Sequence, residues 1–572
     1  MIRIRNKAYT TYENDIRALV QSFFPGEQPA AVTEDSMEMH SKENTAAEDG
    51  FLIDVDAVCK GCSRSEDRFL DKSLVKKALY LYLSGITRRE LPWGTLTGIR
   101  PVRIVEMLLG TEDPGEEQGK AAGSDPALEQ TRLSRVRERI RELFLVSEEK
   151  LDLMFSIYKK EQEVLARLDG IKPGPFSYRD GYSIYIGIPF CPTRCLYCSF
   201  TSNPIELWED RVDEYLEALK KELLQIWELM EQRRREGESA GQMQNQTGYP
   251  NAGLQTVYIG GGTPIALSAS GLDRLLTILE EVFGYEEFDI DQKYRMPQGE
   301  IKEETDRGHR APVAELTVEA GRPDSITKEK LEVLKKHGVD RISVNPQTMH
   351  QKTLDLIGRR HTVEQTVEAY RLARRLGFDN INMDLIMGLP GEDLQDVRET
   401  LEKIGELRPD SLTVHALAVK RSSRLSTEGK AWGGVERKGL DAKGMDEAAA
   451  MTALGAETAG SLGLEPYYLY RQKNMAGNQD NVGYAAPGKE CIYNILMMEE
   501  KHTVIGVGAG SSTKLVAYVP QDGTETQNGS IAGAPVQKSV RRFENVKNIA
   551  DYLDRIDEMI KKKAAFLEGK NN

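Results

Sequence analysis

A chain of 572 residues is too long for one ordinary domain and implies two or three compact units. Its 40% hydrophobic and 29% charged residues are an ordinary soluble composition, and no run of roughly 18 apolar residues is available to span a bilayer. The net charge of -14 opposes attraction to phosphate backbones, so no nucleic-acid partner is expected, and any anionic small molecule must be held by local Arg or Lys. The N-terminus, MIRIRNKAYTTYEND, turns polar too soon for a signal peptide; a cytoplasmic protein is expected, with its six cysteines as thiols available for metal or redox chemistry.

Residues 1–175 are expected to form a mainly helical N-terminal accessory domain. A strand-like MIRIR opens it, followed by an amphipathic stretch from Tyr12 to Phe24 and a polar segment over 32–49. Apolar residues at three- and four-residue spacing then predict helices over 71–83, 103–109, 131–144 and 147–168. LPWGTLTGIRP at 91–101 breaks that pattern with Gly and Pro and reads as a structured loop. From about residue 180 the rhythm becomes strand, then helix, repeated. Strands are predicted over 183–190, 256–262, 314–320, 341–347, 380–390 and 411–419, with helices over 212–234, 270–283, 328–337, 363–376 and 394–406 between them. Strands rich in Val and Ile, joined by helical crossovers, imply an α/β fold with a parallel sheet buried on both faces. Six such units imply a partial (β/α)6 barrel over 176–430. Polar insertions at 235–253 and 286–310 read as flexible surface loops. Residues 431–572 are expected to be a C-terminal domain covering the barrel mouth, with a helix over 445–462, strand-like YYLYR at 467–471, VIGVGAGSS at 504–512 and a terminal helix over 548–566.

CPTRCLYC, 191–198, spaces Cys191, Cys195 and Cys198 as C-x3-C-x2-C at the end of the first barrel strand, where an α/β sheet presents its ligand-binding loops. Soft thiolates of this kind suit an iron–sulfur cluster or zinc. A cuboidal 4Fe-4S cluster normally takes four thiolates, so three leave one iron open to chelate the amino and carboxylate groups of S-adenosylmethionine (SAM). The alternatives are three small buried hydrophobes, or a zinc site with a remote fourth ligand; neither Cys491 nor a nearby His completes a compact zinc pattern.

YIGIPFCPTRCLYCSF, 185–200, resembles the cluster motif of radical SAM enzymes of the oxygen-independent coproporphyrinogen III oxidase family. The chain from about 180 to 520, together with LPWGTLTGIRP, resembles the HemZ-like branch of that family. The resemblance implies a radical SAM barrel with a 4Fe-4S cluster and one SAM, or two. It also implies oxidative decarboxylation of coproporphyrinogen III to protoporphyrinogen IX, a tetrapyrrole substrate, and an electron donor and acceptor it does not identify. Gly261, Gly262 and Thr263 of IGGGTP would bind the methionyl amino group, and Tyr185 would lie over the sulfonium. Glu319 in TVEAGRPD would contact SAM, and Gln347 in SVNPQTM, Arg359 in IGRRH and Asp384 in NMDLIMGLPGE would bind it or a second SAM beside it. Tyr185 and Glu319 are the expected catalytic residues. Taken singly, GGTP is an ordinary turn, and an isolated Glu or Arg at a strand end is a solvated charge.

A pocket for the substrate's propionates needs cations, for which Lys420, Arg421, Arg424, Arg471 and Lys473 are candidates. The sequence departs from the family at Gly187, where related enzymes have His, and at Phe200, where the oxidase type carries another cysteine. The competing reading is a heme chaperone of the same superfamily. At CIYNILMMEE, from 491, Tyr493, Met497 and Met498 replace that group's characteristic His and aromatic pair, and Cys491 is either an axial heme ligand or core. A radical SAM enzyme acting on heme is a third reading. Cys59 and Cys62, in CKGC, share the spacing of redox pairs and half zinc sites or form a structural pair. GVGAG at 506–510 lacks the strand–helix unit and acidic residue of a dinucleotide site.

Overall fold

The structure, a computed structural model, describes residues 2–24, 29–31, 51–62, 65–98, 100–110, 126–169, 181–198, 202–239, 253–284, 313–418, 424, 442–471, 479–520 and 536–569. The segment 32–49, the insertion at 286–310, most of that at 235–253, and Phe200, Lys420, Arg421 and Lys473 lie outside the described residues.

Strands β1 (Ile2–Arg5), β2 (Ala30–Ala31) and β3 (Phe51–Asp54) form a small parallel sheet in the order β2-β1-β3. Against it pack the helices Glu13–Phe23 and Arg68–Thr87, and Ile4, Ile16, Leu19, Val55, Leu79 and Leu83 make a core of their own. From Trp93 onward the chain joins the main core, together with the helices Arg103–Leu109, Pro126–Phe144 and Glu148–Asp169. The N-terminal region is therefore mainly helical, as expected, but its apolar residues are divided between a core of its own, the main core, and a third in which Val164, Leu165 and Leu168 meet Tyr467 and Cys491.

The main sheet begins with β4 (Tyr182–Ile188), beyond which β5 (Phe190–Cys191) pairs with β6 (Asn203–Pro204) in the loop it feeds. Next to β4 lie, in order and all parallel, β7 (Leu254–Gly261), β8 (Glu315–Gly321), β9 (Arg341–Val344), β10 (Ile381–Met387) and β11 (Ser411–Ala416). These are the six strands of the partial barrel. Their residues are buried almost without alternation, which is why they read as continuous Val/Ile runs. The crossover helices start where side-chain caps take up free backbone N–H groups: Ser268 accepts from Gly271, Thr327 from Lys330, and Thr362 and Asp393 form reciprocal capping boxes.

The C-terminal chain extends both edges of this sheet. The strands β12 (Glu465–Tyr470) and β13 (Asn481–Ala485) add antiparallel beside β11. At the other edge β14 (Thr503–Val507) lies parallel to β4, followed by β15 (Ser512–Pro520) and β16 (Val536–Glu544), for eleven strands in all. GVGAG ends β14 and makes the tight turn toward β15; Gly508 and Gly510 have φ of +93° and +72°, which L side chains rarely adopt.

Two buried polar clusters tie the added pieces to the barrel. Trp93 Nε1 donates to Asp480 Oδ2 at 2.8 Å, Lys150 pairs with the same oxygen at 2.9 Å, and the Arg471 guanidinium lies 5.3 Å from the Trp93 ring centre and donates to Leu96 O. At the opposite edge Lys563 of the terminal helix pairs with Glu222, which also accepts from Tyr552 Oη at 2.6 Å and Asn545 Nδ2 at 2.9 Å. No helix among the described residues is long and apolar enough to cross a membrane.

Candidate active site

The cysteine loop leaves β4 at the C-terminal end of the parallel strands and is held from two sides. Gly262 N donates to Ile188 O and Thr263 N to Phe190 O, both at 2.7 Å, which lays IGGGTP against the loop. On the other side Leu196 N donates to Ile357 O at 3.0 Å, and Thr193 Oγ1 to Gly358 O at 3.5 Å, so IGRRH grips it as well. The glycines are required by this approach. A Cβ on Gly262 would stand 2.5 Å from Phe190 O and 3.0 Å from Cys191 Sγ, and Gly261 has a φ of +109°. This backbone contact distinguishes the segment from an ordinary turn.

Cys191 and Cys195 are buried, Cys198 is partly exposed, and none of the six cysteines is in a disulfide. Cys191 Sγ lies 3.5 Å from Thr263 Oγ1, and Arg322 Nη1 lies 3.6 Å from Cys195 Sγ. Arg359 also interacts with Cys195 and with Tyr197. Burial pushes the Cys191 thiol up to about 11, against the hydrogen bond from Thr263; the neighbouring thiols push it further up and Arg322 pulls it down. A mononuclear zinc normally takes four ligands, of which this loop offers three thiols, whereas a cuboidal iron–sulfur cluster takes each thiolate on a different iron. Three thiols on one loop beside two buried guanidiniums fit the cluster.

Two carboxylates stand beyond the glycine turn. Glu319, at the end of β8, accepts a hydrogen bond from Tyr258 Oη at 2.6 Å. Burial pushes it up to about 7, with Asp384 adding to the rise and Tyr258 and the Gly261 N–H opposing it. Asp384, on β10, is driven the other way. Burial alone would raise it, but His415, the Asn382 amide at 2.7 Å and Thr413 hold it below the usual carboxylate range. At neutral pH Asp384 is an anion while Glu319 is close to half protonated, a division of labour that environments of this kind create.

Above them Tyr185, Tyr258 and Tyr493 stack. The ring centres of Tyr185 and Tyr258 are 6.1 Å apart at 16°, and those of Tyr258 and Tyr493 are 4.6 Å apart at 24°. Gln347 is bonded into β10 through its backbone, donating to Asp384 O and accepting from Ile386 N, each at 3.0 Å. Its φ of +68° is uncommon for a residue with a side chain and is the kind of strain that collects at functional sites. Arg359 is buried and donates to Asn345 O, and its Nε has no hydrogen-bond partner among the described residues.

The structure thus sets Gly261, Gly262 and Thr263 against the loop that carries Cys191, Cys195 and Cys198, and gathers Glu319 and Tyr185 around Tyr258 on the adjoining strands. Gln347 and Asp384 join one another on β10, and Arg359 stands on the Cys195 side. Arg471 lies elsewhere, its guanidinium committed to Trp93 and Leu96 O, and burial pulls it down to about 10. Cys491 is fully buried, with its thiol 3.4 Å from Glu315 Oε1; Glu315 also accepts from the backbone N–H groups of Ile492 and Tyr493 that open the helix Ile492–Met498. That cysteine is core. Cys59 is buried in the N-terminal core and Cys62 is half-buried. Sequence reasoning passed over Tyr258, Arg322 and His415, and weighed Tyr493 only as a replacement for a histidine. For Tyr258 a signal existed, since YIG occurs in both β4 and β7 and places Tyr185 and Tyr258 in register.

Residues 185–404 match the radical SAM superfamily, and the barrel with its cysteine loop makes the chain a radical SAM enzyme in class. A Bacillus subtilis (strain 168) relative, oxygen-independent coproporphyrinogen-III oxidase-like protein HemZ, is 36% identical over 495 residues, 86% of this chain and 80% of that one. The chain belongs to this HemZ-like family of radical SAM proteins. It is also 32% identical to heme chaperone HemW of the same organism over 238 residues, 42% of this chain and about half of that protein, 51%. Among solved structures, Escherichia coli coproporphyrinogen III oxidase (HemN) aligns over 70% of this chain and 73% of its own, with 18% identity and a TM-score of 0.44.

Proposed function

We propose that the chain carries out oxygen-independent oxidative decarboxylation of coproporphyrinogen III to protoporphyrinogen IX, with a tetrapyrrole as substrate and an external electron donor and acceptor. A reduced 4Fe-4S cluster, when bound, supplies the electron that splits SAM into methionine and a 5'-deoxyadenosyl radical. Cys191, Cys195 and Cys198 hold that cluster, and the backbone of Gly261, Gly262 and Thr263 borders the methionine end. Glu319 takes a polar group of SAM while Tyr258 fixes its carboxyl, and Tyr185 presents its ring to the same ligand. Gln347, Arg359 and Asp384 complete the SAM contacts. The reaction needs one SAM at a time; a second would lie against Gln347 and Asp384. A hydrogen atom passes from the β-carbon of a propionate to the deoxyadenosyl radical, giving 5'-deoxyadenosine; the substrate radical gives one electron to the acceptor, and carbon dioxide departs to leave a vinyl group, once for each of two propionates.

The observation that carries this reading over a heme-binding role is the packing of residues 491–498. Cys491 is fully buried and hydrogen-bonded to Glu315, and Tyr493 is stacked on Tyr258 beside Glu319. The stretch closes the carboxylate end of the site, and its one cysteine is committed to Glu315 instead of facing a ligand.

The test is an anaerobic assay of the reconstituted protein with SAM, a reductant, an electron acceptor and coproporphyrinogen III, following 5'-deoxyadenosine and porphyrins chromatographically. Deoxyadenosine formed with tri- and dicarboxylic porphyrins supports the decarboxylase. Deoxyadenosine without porphyrin change rejects this substrate and directs the search to heme, and tight heme binding with untouched coproporphyrinogen assigns the chain to the chaperones.

A further inference from the structure

Arg322 has no place in the reaction described so far, yet it is only 3% exposed, which for an arginine demands partners. It lies just past β8 and has three of them. Nη1 donates to Cys195 Sγ at 3.6 Å, both terminal nitrogens reach Thr193 Oγ1 at 3.1 Å, and Nε and Nη2 grip Asp324 at 3.1 and 2.8 Å. The two-point hold on Asp324 fixes the plane of the guanidinium and aims it at a single thiol. Arg359 interacts with the same cysteine. Cys191, by contrast, meets the hydroxyl of Thr263. The two guanidiniums outweigh the carboxylate that grips one of them. His361 beside them adds no charge, since burial and the nearby Arg359 pull its pKa down to about 3.

We propose that Arg322 is a positioning residue that sets the reduction potential of the cluster held by Cys191, Cys195 and Cys198, through an N–H donated to the Cys195 sulfur. The inference rests on the cluster reading. One-electron reduction adds negative charge that spreads onto the sulfur ligands. A fixed N–H donor carrying a full positive charge therefore stabilises the reduced state more than the oxidised one. Burial strengthens the effect, because little water screens the guanidinium. Arg322 thus raises the midpoint potential and makes the cluster easier to reduce. Asp324 opposes it electrostatically while holding it in place.

The experiment uses the whole chain, reconstituted anaerobically, with the midpoint potential read from an EPR-monitored redox titration and iron and sulfide content measured alongside. Arg322→Gln is expected to lower the potential at unchanged iron content, and Arg322→Lys, which keeps the charge but loses the fork, to fall between it and the natural chain. Asp324→Asn keeps a hydrogen-bond acceptor but removes the counter-charge, so it is expected to raise the potential. Opposite signs are the signature of an electrostatic role, because a loosened loop would move both variants the same way. An unchanged potential in Arg322→Gln at full iron content overturns the proposal, as do shifts of the same sign in both variants. Should Arg322→Gln fail to take up iron, Asp324→Asn still decides, and a fall or no change there overturns it. A natural chain that takes up no cluster refutes the cluster reading itself, so the two failures are distinguishable.

Discussion

Replacing Gly262 by alanine tests whether the glycine turn and the cysteine loop are one packed unit. The new Cβ would lie 2.5 Å from Phe190 O and 3.0 Å from both Cys191 Sγ and Ile188 O. A carbon and a carbonyl oxygen ordinarily stay at least about 3.3 Å apart, so the two segments must separate by roughly 0.8 Å. They are joined by the Gly262 N–H to Ile188 O and Thr263 N–H to Phe190 O bonds, both at 2.7 Å, so separation stretches the contacts that hold the loop. Overpacking costs about 1–3 kcal/mol, and two weakened hydrogen bonds add up to about 1 kcal/mol each, for a total of roughly 1–5 kcal/mol. Urea unfolding of the apo-protein should show that loss, and iron per chain after reconstitution should fall because Cys191 moves with the loop. Gly405→Ala is the control. It lies within the helix Leu394–Leu407 with nothing within 4 Å of its Cβ position, and should gain about 0.5–1 kcal/mol without touching iron content. A Gly262→Ala protein that unfolds like the natural chain and takes up full iron would refute the close-approach argument.

Cys195→Ala should abolish cluster assembly and SAM cleavage together, read as iron content and 5'-deoxyadenosine; cleavage that survives removes the cluster from this loop. Glu319, raised from 4.5 to about 7, gives a stability effect of definite sign. Between those values the unfolded chain releases the proton that the folded chain keeps, so stability is full below about pH 4.5 and falls through about pH 7, by at most roughly 3 kcal/mol. Urea titrations across that range should show the decline in the apo-protein and a flatter profile in Glu319→Gln; equal slopes would contradict the raised pKa. Lys563→Met leaves Glu222 buried with its hydrogen-bond donors but no counter-charge, at a cost of about 3–5 kcal/mol. Adding Glu222→Gln removes the buried charge but keeps an acceptor for Tyr552 and Asn545, so it should recover a good part of that loss in the same unfolding assay; a double variant no better than the single one would contradict the counter-charge argument.

The barrel was legible because its strands are buried on both faces and its helices are amphipathic, so the change of period shows directly in the chain. The same physics hid the sheet's extensions. NVGYA of β13 is short and carries a glycine, and β16 is charged and, over Lys538–Glu544, half-exposed, as an edge strand that avoids further pairing must be. Neither announces itself as a strand until β11 and β15 supply the partners. Without those pairings the region past residue 431 reads as a separate unit, when its strands continue the barrel's own sheet.

The site divides along a similar line. A three-cysteine loop is legible because its thiols lie within eight residues of one another, and glycines are legible because the backbone geometry they permit is local. What a charged side chain does at a strand end depends on which neighbour the sheet places opposite it, and that is a tertiary fact. Arg471 and Arg322 make the contrast. Both are buried arginines just past a strand, and in sequence the first, near YYLYR, looked more suited to an anionic substrate. In the fold Arg471 spends its hydrogen bonds on the backbone beneath Trp93, whereas Arg322 is braced by Asp324 and aimed at a cysteine of the loop. The brace decides between them: a guanidinium held at two points by a carboxylate two residues away keeps its remaining N–H groups in a fixed direction, so the one aimed at Cys195 acts on whatever the thiols carry as a fixed donor.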